Sequence, residues 1–156
     1  MTGSAPHPNL AKLEPLIGEW EMEATVDSEV MMRGTCIFAW SDDGPYLVQT
    51  ADGAATPDAP GGWQDNLPFP TVAITGHDDG FDNFSVLYSD ARGVQRVYAM
   101  TFADGAITQE RAAPGFHQRY TGQISDDGSR IDSRWERSDD GEHWFLDFEL
   151  TYTRAG

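Results

Sequence analysis

Residues Gly18 to Val26 read Gly-Glu-Trp-Glu-Met-Glu-Ala-Thr-Val, and their reading decides the fold. Trp20, Met22, Ala24 and Val26 alternate with Glu19, Glu21, Glu23 and Thr25, so one face of an extended chain is apolar and the other wet. This is a half-buried β-strand, which needs partners to cover its apolar face. Nine more alternating segments follow, at about 31–40, 45–51, 70–76, 82–90, 94–103, 105–111, 115–124, 129–138 and 143–153. Ahead of them, Pro8-Asn9 offers a cap and Leu10, Leu13, Leu16 and Ile17 recur at helical spacing, which predicts one short helix.

Between the strands lie turn signals. Ser-Asp-Asp-Gly occurs at 41–44, 125–128 and 138–141, His-Asp-Asp-Gly at 77–80, Ser-Asp-Ala-Arg-Gly at 89–93, Ala-Asp-Gly at 103–105 and Ala-Pro-Gly at 113–115. Glycine supplies positive φ, and aspartate tolerates it while bonding its own backbone, so these are hairpin turns. A calcium loop needs oxygen ligands at alternate positions and a glutamate six residues after its glycine, which none of the three repeats supplies. No metal site is expected there. Ten antiparallel strands joined by short hairpins bury their apolar faces best as a closed up-and-down barrel, whereas a two-sheet sandwich needs long crossings. The reading is a single all-β domain over 1–156, with residues 1–9 flexible. A long loop is expected at 52–69, where three prolines and three glycines cluster.

The composition narrows the function. With 39% hydrophobic residues the chain can bury one sizeable core. Ten basic against 26 acidic residues give a net charge of −16, which repels phosphate backbones and anionic headgroups, so neither nucleic acid nor membrane is an expected partner. Cys36 is the single cysteine, no Cys/His set has zinc spacing, and no cofactor is expected. The first ten residues lack a basic start and an apolar run, so a cytoplasmic location is expected. A homodimer is left open.

Gly18-Glu19-Trp20, opening the first strand after a short helix, resembles the Gly-x-Trp signature of lipocalins and related calycin barrels. The chain as a whole resembles the lipocalin-like domains of bacteria. The resemblance implies a calycin-like barrel whose tryptophan closes the floor beneath a cation from the last strand, here Arg154. The chain lacks the Thr-Asp-Tyr signature of the secreted branch, and it continues Glu21-Met22-Glu23-Ala24 where haem-binding calycins carry further glycines. Its last strand carries Tyr152-Thr153-Arg154 in that order, where fatty-acid-binding proteins have Arg-x-Tyr.

Side-chain parity sorts the strands into faces. Following the apolar set inward takes in Trp20, Met22, Cys36, Val48, Val72, Ile74, Val86, Met100, Ile131, Leu146, Phe148 and Leu150, among others. Arg96, Gln109, Arg111, Gln118 and Ser133 share that parity, and a buried charge is expensive unless paired or reserved for a ligand. Tyr88, Arg96, Tyr98, Arg111 and Gln118 fall toward the long-loop end, with Phe116 and Trp135 inward and Trp63 on the loop above. Such a set binds a carboxylate or phenolate in an apolar pocket. A register slip, or surface pairing with Glu110 or Asp90, would turn either arginine outward.

His77 reads as a solvated turn residue, His117 as outward, and His7 and His143 as loop residues. Asp132, Arg134, Glu136, Asp147 and Glu149 read as outer-face residues, and Cys36 as a small buried hydrophobe. No catalytic residue is assigned. The expected function is a carrier or sensor of a small hydrophobic, anionic or phenolic molecule. The alternative is a calycin-fold lyase, cyclase or isomerase using Tyr88 or Tyr98 beside an arginine, for which no inward carboxylate is evident. A third reading is a filled barrel acting through its acidic surface. Cavity volume separates them, ligand pockets spanning roughly 300–1,000 Å3.

Overall fold

The computed structural model describes residues 6–42 and 45–156. Ten strands, β1 (Gly18–Val26), β2 (Glu29–Trp40), β3 (Leu47–Ala55), β4 (Thr71–Asp78), β5 (Asn83–Asp90), β6 (Gln95–Ala103), β7 (Ala106–Arg111), β8 (His117–Ile124), β9 (Arg130–Ser138) and β10 (Phe145–Arg154), form a closed antiparallel barrel. Each strand pairs with its sequence neighbours, and β1 closes the ring on β10 with Trp20 opposite Arg154. The all-β, ten-stranded expectation holds. In β1 the alternation is realised directly, with Trp20, Met22 and Ala24 buried and Glu19 and Glu21 exposed. Among the described residues no helix is long and apolar enough to cross a membrane.

The first helix, Leu10–Leu16, is 3-10 rather than α. Pro15 inside it has no N–H to donate, and the three buried leucines Leu10, Leu13 and Leu16 recur every third residue, the 3-10 period. Asn9 makes no side-chain cap bond. Its amide instead donates to His77 Nε2 at 3.0 Å. The helix seals one end of the barrel. Leu16 accepts a bond from Trp20 Nε1 (2.9 Å), and the Arg154 guanidinium lies 4.0 Å from the Trp20 ring while donating to Ile17, Pro15 and Gly128 carbonyls.

Three expectations are corrected. The 52–69 stretch is not all loop: β3 runs on to Ala55, pairing with Met32, and Gly61–Asp65 forms a short helix, α1. On β3 and β4 the parity is reversed, with Leu47, Gln49, Ala51, Thr71, Ala73 and Thr75 lining the interior while Val72 and Ile74 are exposed. Both faces of these strands are apolar: Val48, Ile74, Leu87 and Val97 form a cross-strand row on the outer wall, so hydrophobicity alone could not choose a side. On β10, Leu146 pairs with Glu136 and Phe148 with Trp135, leaving Asp147 as the extra residue of a β-bulge, and Leu146 faces out.

The acidic turns behave as punctuation. Asp127 Oδ1 accepts bonds from Ser125 Oγ, Ser129 Oγ and the Ser129 amide. Asp140 Oδ1 accepts from Ser138 Oγ and the Glu142 and His143 amides. In the first repeat, Asp43 and Gly44 lie outside the described residues, as do residues 1–5 of the expected flexible terminus. His77 belongs to β4 and is mostly buried, stacked on His7 with ring centroids 5.4 Å apart, rather than solvated in a turn.

Candidate ligand cavity

The barrel encloses a cavity of about 510 Å3, within the usual range for small-molecule sites and open enough to exclude a solid core. Its depth is apolar, lined by Leu16, Met22, Met32, Val86, Met100, Ile107, Ile131 and Leu150. The space exists because β3 and β4 turn the small side chains of Ala51, Ala73 and Thr75 inward. An aromatic run crosses the opposite wall, with Tyr98–Trp135 centroids 5.4 Å apart and Tyr120–Trp135 5.1 Å apart. Burial pushes the Tyr120 and Tyr152 hydroxyls up, so both stay neutral.

Polar groups gather toward the end away from the 3-10 helix. Tyr98 donates to Gln118 Oε1 at 3.0 Å, a buried contact. Burial pushes the Tyr98 hydroxyl up, while the neighbouring Arg96 side chain, the Arg111 charge and Gln118 pull it back. The Arg96 guanidinium lies 5.3 Å from the Phe116 ring centroid and takes part in none of the ion pairs among the described residues. Gln109 also lines the cavity, and Gln49 Nε2 lies 3.3 Å from Cys36 Sγ. Burial pushes the Cys36 thiol to about 12, which keeps it protonated and inert.

Of the eight residues selected from sequence, Trp63, Tyr88, Arg96, Tyr98, Phe116, Gln118 and Trp135 line this one cavity. Arg111 does not. It borders a separate outer groove with Arg96, Leu87, Glu110 and Pro114, although it still lies close enough for Tyr98 to feel its charge. Tyr88 has a different role from the one expected: its hydroxyl donates to Asp90 Oδ2 at 2.8 Å and is already engaged.

Asp90 and Arg92 form a latch. Arg92 donates to Asp90 Oδ2 through Nη2 (2.7 Å) and Nε (3.2 Å), and its Nη1 reaches the Asn66 carbonyl at 3.5 Å, while the Ala91 amide donates to the Pro68 carbonyl. The segment carrying α1 is thereby tied across the cavity mouth to the β5–β6 turn. Trp63, on α1, meets Phe148 edge-on at 5.4 Å. Burial works to raise the Asp90 carboxyl, but bonds from the Arg92 side chain, the Tyr88 hydroxyl and the Arg92 amide outweigh it and hold the group at about 2. A depressed carboxyl stabilises the fold above its unfolded value near 4, and that contribution is lost as pH falls toward 2. Asp90→Asn is accordingly expected to speed amide hydrogen exchange across residues 61–68 by about tenfold or more, by weakening charge-assisted bonds. The wild type should show the same loosening only in acid. Unchanged exchange in the variant would show that the latch holds nothing.

Sequence reasoning missed Arg92 and Asp147, both of which line the cavity. Asp147 was assigned to the outer wall, and the bulge turns it inward. Burial raises its carboxyl, opposed by Arg137, whose Nε is 4.0 Å away. A second acidic grouping lies outside the cavity, where Asp140, Glu142 and His143 bring ligand-type atoms within 4.8 Å of one another. All three are exposed, and the Asp140 carboxylate is engaged by its own turn and by His143 Nδ1 at 2.6 Å.

Neither family models nor curated proteins give a match to this chain. Among solved structures, the crystal structure of Rv2717c from M. tuberculosis is similar with a TM-score of 0.67 at 15% sequence identity, over 97% of this chain and 99% of that one. At that identity the likeness shows the barrel fold alone.

Proposed function

We propose that the barrel binds a small, mostly apolar molecule bearing an acidic or phenolic oxygen, as a lipocalin-like carrier or sensor. The observation that carries this reading is Arg96, a guanidinium without an ion-pair partner among the described residues, beside Tyr98 and Gln118 on the wall of a 510 Å3 cavity. The net charge of −16 repels anions at a distance, but that field is screened over about 8 Å, whereas an arginine in the cavity acts at contact distance. Gln118, whose Oε1 accepts from Tyr98, has its Nε2 hydrogens to offer the same oxygen.

The test is native mass spectrometry of the purified protein for a co-purifying ligand, followed by paired aromatic or fatty acids and their methyl esters. Arg96→Met is expected to weaken acids by about 1.5–3 kcal/mol and leave esters nearly unchanged. Arg111→Met, which removes a cation that is not part of the cavity lining, is expected to have a smaller effect. Acids that bind Arg96→Met as they bind the wild type would refute the assignment.

The enzyme reading gains one observation. Asp147 is the inward carboxylate that a proton-transferring lyase, cyclase or isomerase needs, set in the same cavity as Arg96 and Tyr98. An enzyme turns its bound ligand over; a carrier returns it unchanged. Product analysis after incubating the protein with its co-purified ligand separates the two.

A further inference from the structure

We infer that the ligand has a second polar end, a protonated amine, which Asp147 receives on the wall facing Arg96. This rests on the binding reading above and deepens it. The β10 bulge is the observation that carries it. In an unbulged strand with Phe148 and Leu150 inward, residue 147 would face solvent; the bulge brings Asp147 to the cavity lining instead. An acidic side chain there is costly unless something cationic meets it.

The protein's own candidate is a poor match. Arg137 approaches Asp147 only at 4.0 Å, with its side chain more than half exposed, so water screens much of that attraction. The remaining surroundings favour an organic cation. Phe148 and Trp63, already in edge contact, line the same cavity, and an ammonium group is attracted to the face of such a ring.

The two poles also stand in a definite relation. Asp147 lies near the start of β10 and Arg96 near the start of β6, and both starts are at the α1 end of the barrel. β10 and β6 are four strands apart on a ring of ten, which places the two residues on well-separated walls toward the same end of the barrel. A molecule that satisfies both carries its acid and its amine at opposite ends of a rigid apolar body. An α-amino acid, with both charges on one carbon, cannot reach both.

The experiment uses four para-disubstituted benzenes of one shape: p-xylene, 4-methylphenylacetate, 4-methylbenzylamine and 4-(aminomethyl)phenylacetate. Affinities are measured by ligand-observed NMR against wild type, Asp147→Asn and Arg96→Met. In the wild type the amine is expected to tighten binding about tenfold or more, in both the acid and the neutral background. Asp147→Asn should remove that gain while leaving the gain from the carboxylate. Arg96→Met should do the reverse.

If the carboxylate helps and the amine does not, or if the amine's gain survives Asp147→Asn, the second pole is refuted and the binding reading stands. If the carboxylate fails to help in the wild type, the binding reading itself falls. Absence of binding by all four at millimolar concentration overturns both. Melting temperatures show whether Asp147→Asn is folded: removing a charge that burial disfavours should leave stability at neutral pH equal or higher.

Discussion

Trp20→Ala is expected to lower the free energy of unfolding by about 3–5 kcal/mol, a large share of the roughly 5–15 kcal/mol that holds a domain of this size together. The ring is fully buried, and three separate parts of the chain converge on it. Its indole N–H satisfies the Leu16 carbonyl at the end of the 3-10 helix, and its face supports the Arg154 guanidinium from β10. Arg154 in turn satisfies the Ile17, Pro15 and Gly128 carbonyls. Removing the indole therefore opens a cavity at the seam where β1 meets β10 and loosens the cation that ties the helix to it. Chemical denaturation should show a lower midpoint. Trp20→Phe, which keeps most of the buried area but loses the N–H and part of the cation–π surface, should lose markedly less. Equal losses in the two variants would mean that the hydrogen bond and the cation, rather than the packed volume, dominate the seam.

The second large effect is expected at Gly34, on β2. A Cβ built there would overlap the Asp52 carbonyl oxygen and stand 3.0 Å from the Gly53 Cα, both backbone atoms of β3 that cannot swing aside. Gly34 and Gly53 pair directly across the ladder, so the two strands approach more closely than side chains permit. Gly34→Ala must push β2 and β3 apart, at about 3 kcal/mol, the upper end of ordinary overpacking costs. Gly76→Ala is the matched control. It is also a strand glycine, its Cβ would meet nothing within 4 Å, and it should be neutral within about 0.5 kcal/mol. A neutral Gly34→Ala would mean that β3 does not pair with β2 beyond Asp52.

That pairing marks where the sequence stopped being legible. Asp52-Gly53 looks like the turn dipeptides elsewhere in the chain, yet here the Asp52 carboxylate bonds the next amide within a strand and the glycine serves close approach. The strands themselves were readable because Asp-Gly turns punctuate them and because β1 and β9 carry an outer face of charged and polar residues. β3 and β4 lack that contrast: Val48, Val72 and Ile74 outside are bulkier than Ala51 and Ala73 inside, so the apolar pattern pointed the wrong way. Arg96, Tyr98 and Gln118 could be placed because their strands keep strict alternation. Asp147 could not, since a bulge is a backbone irregularity with no composition of its own. Arg92 escaped for a related reason, a turn residue whose long side chain reaches back over the mouth.

The sealed floor also sets the kinetics of whatever the barrel holds. Leu10, Leu13 and Leu16 close one end together with Trp20, so molecules pass in and out at the end covered by α1. Entry and escape then cross the same barrier. Loosening the Asp90–Arg92 latch should accelerate both in equal proportion, shortening residence time while the equilibrium affinity stays where the cavity walls set it. Occupancy would be governed by the cavity, and the pace of exchange by a few hydrogen bonds at its rim.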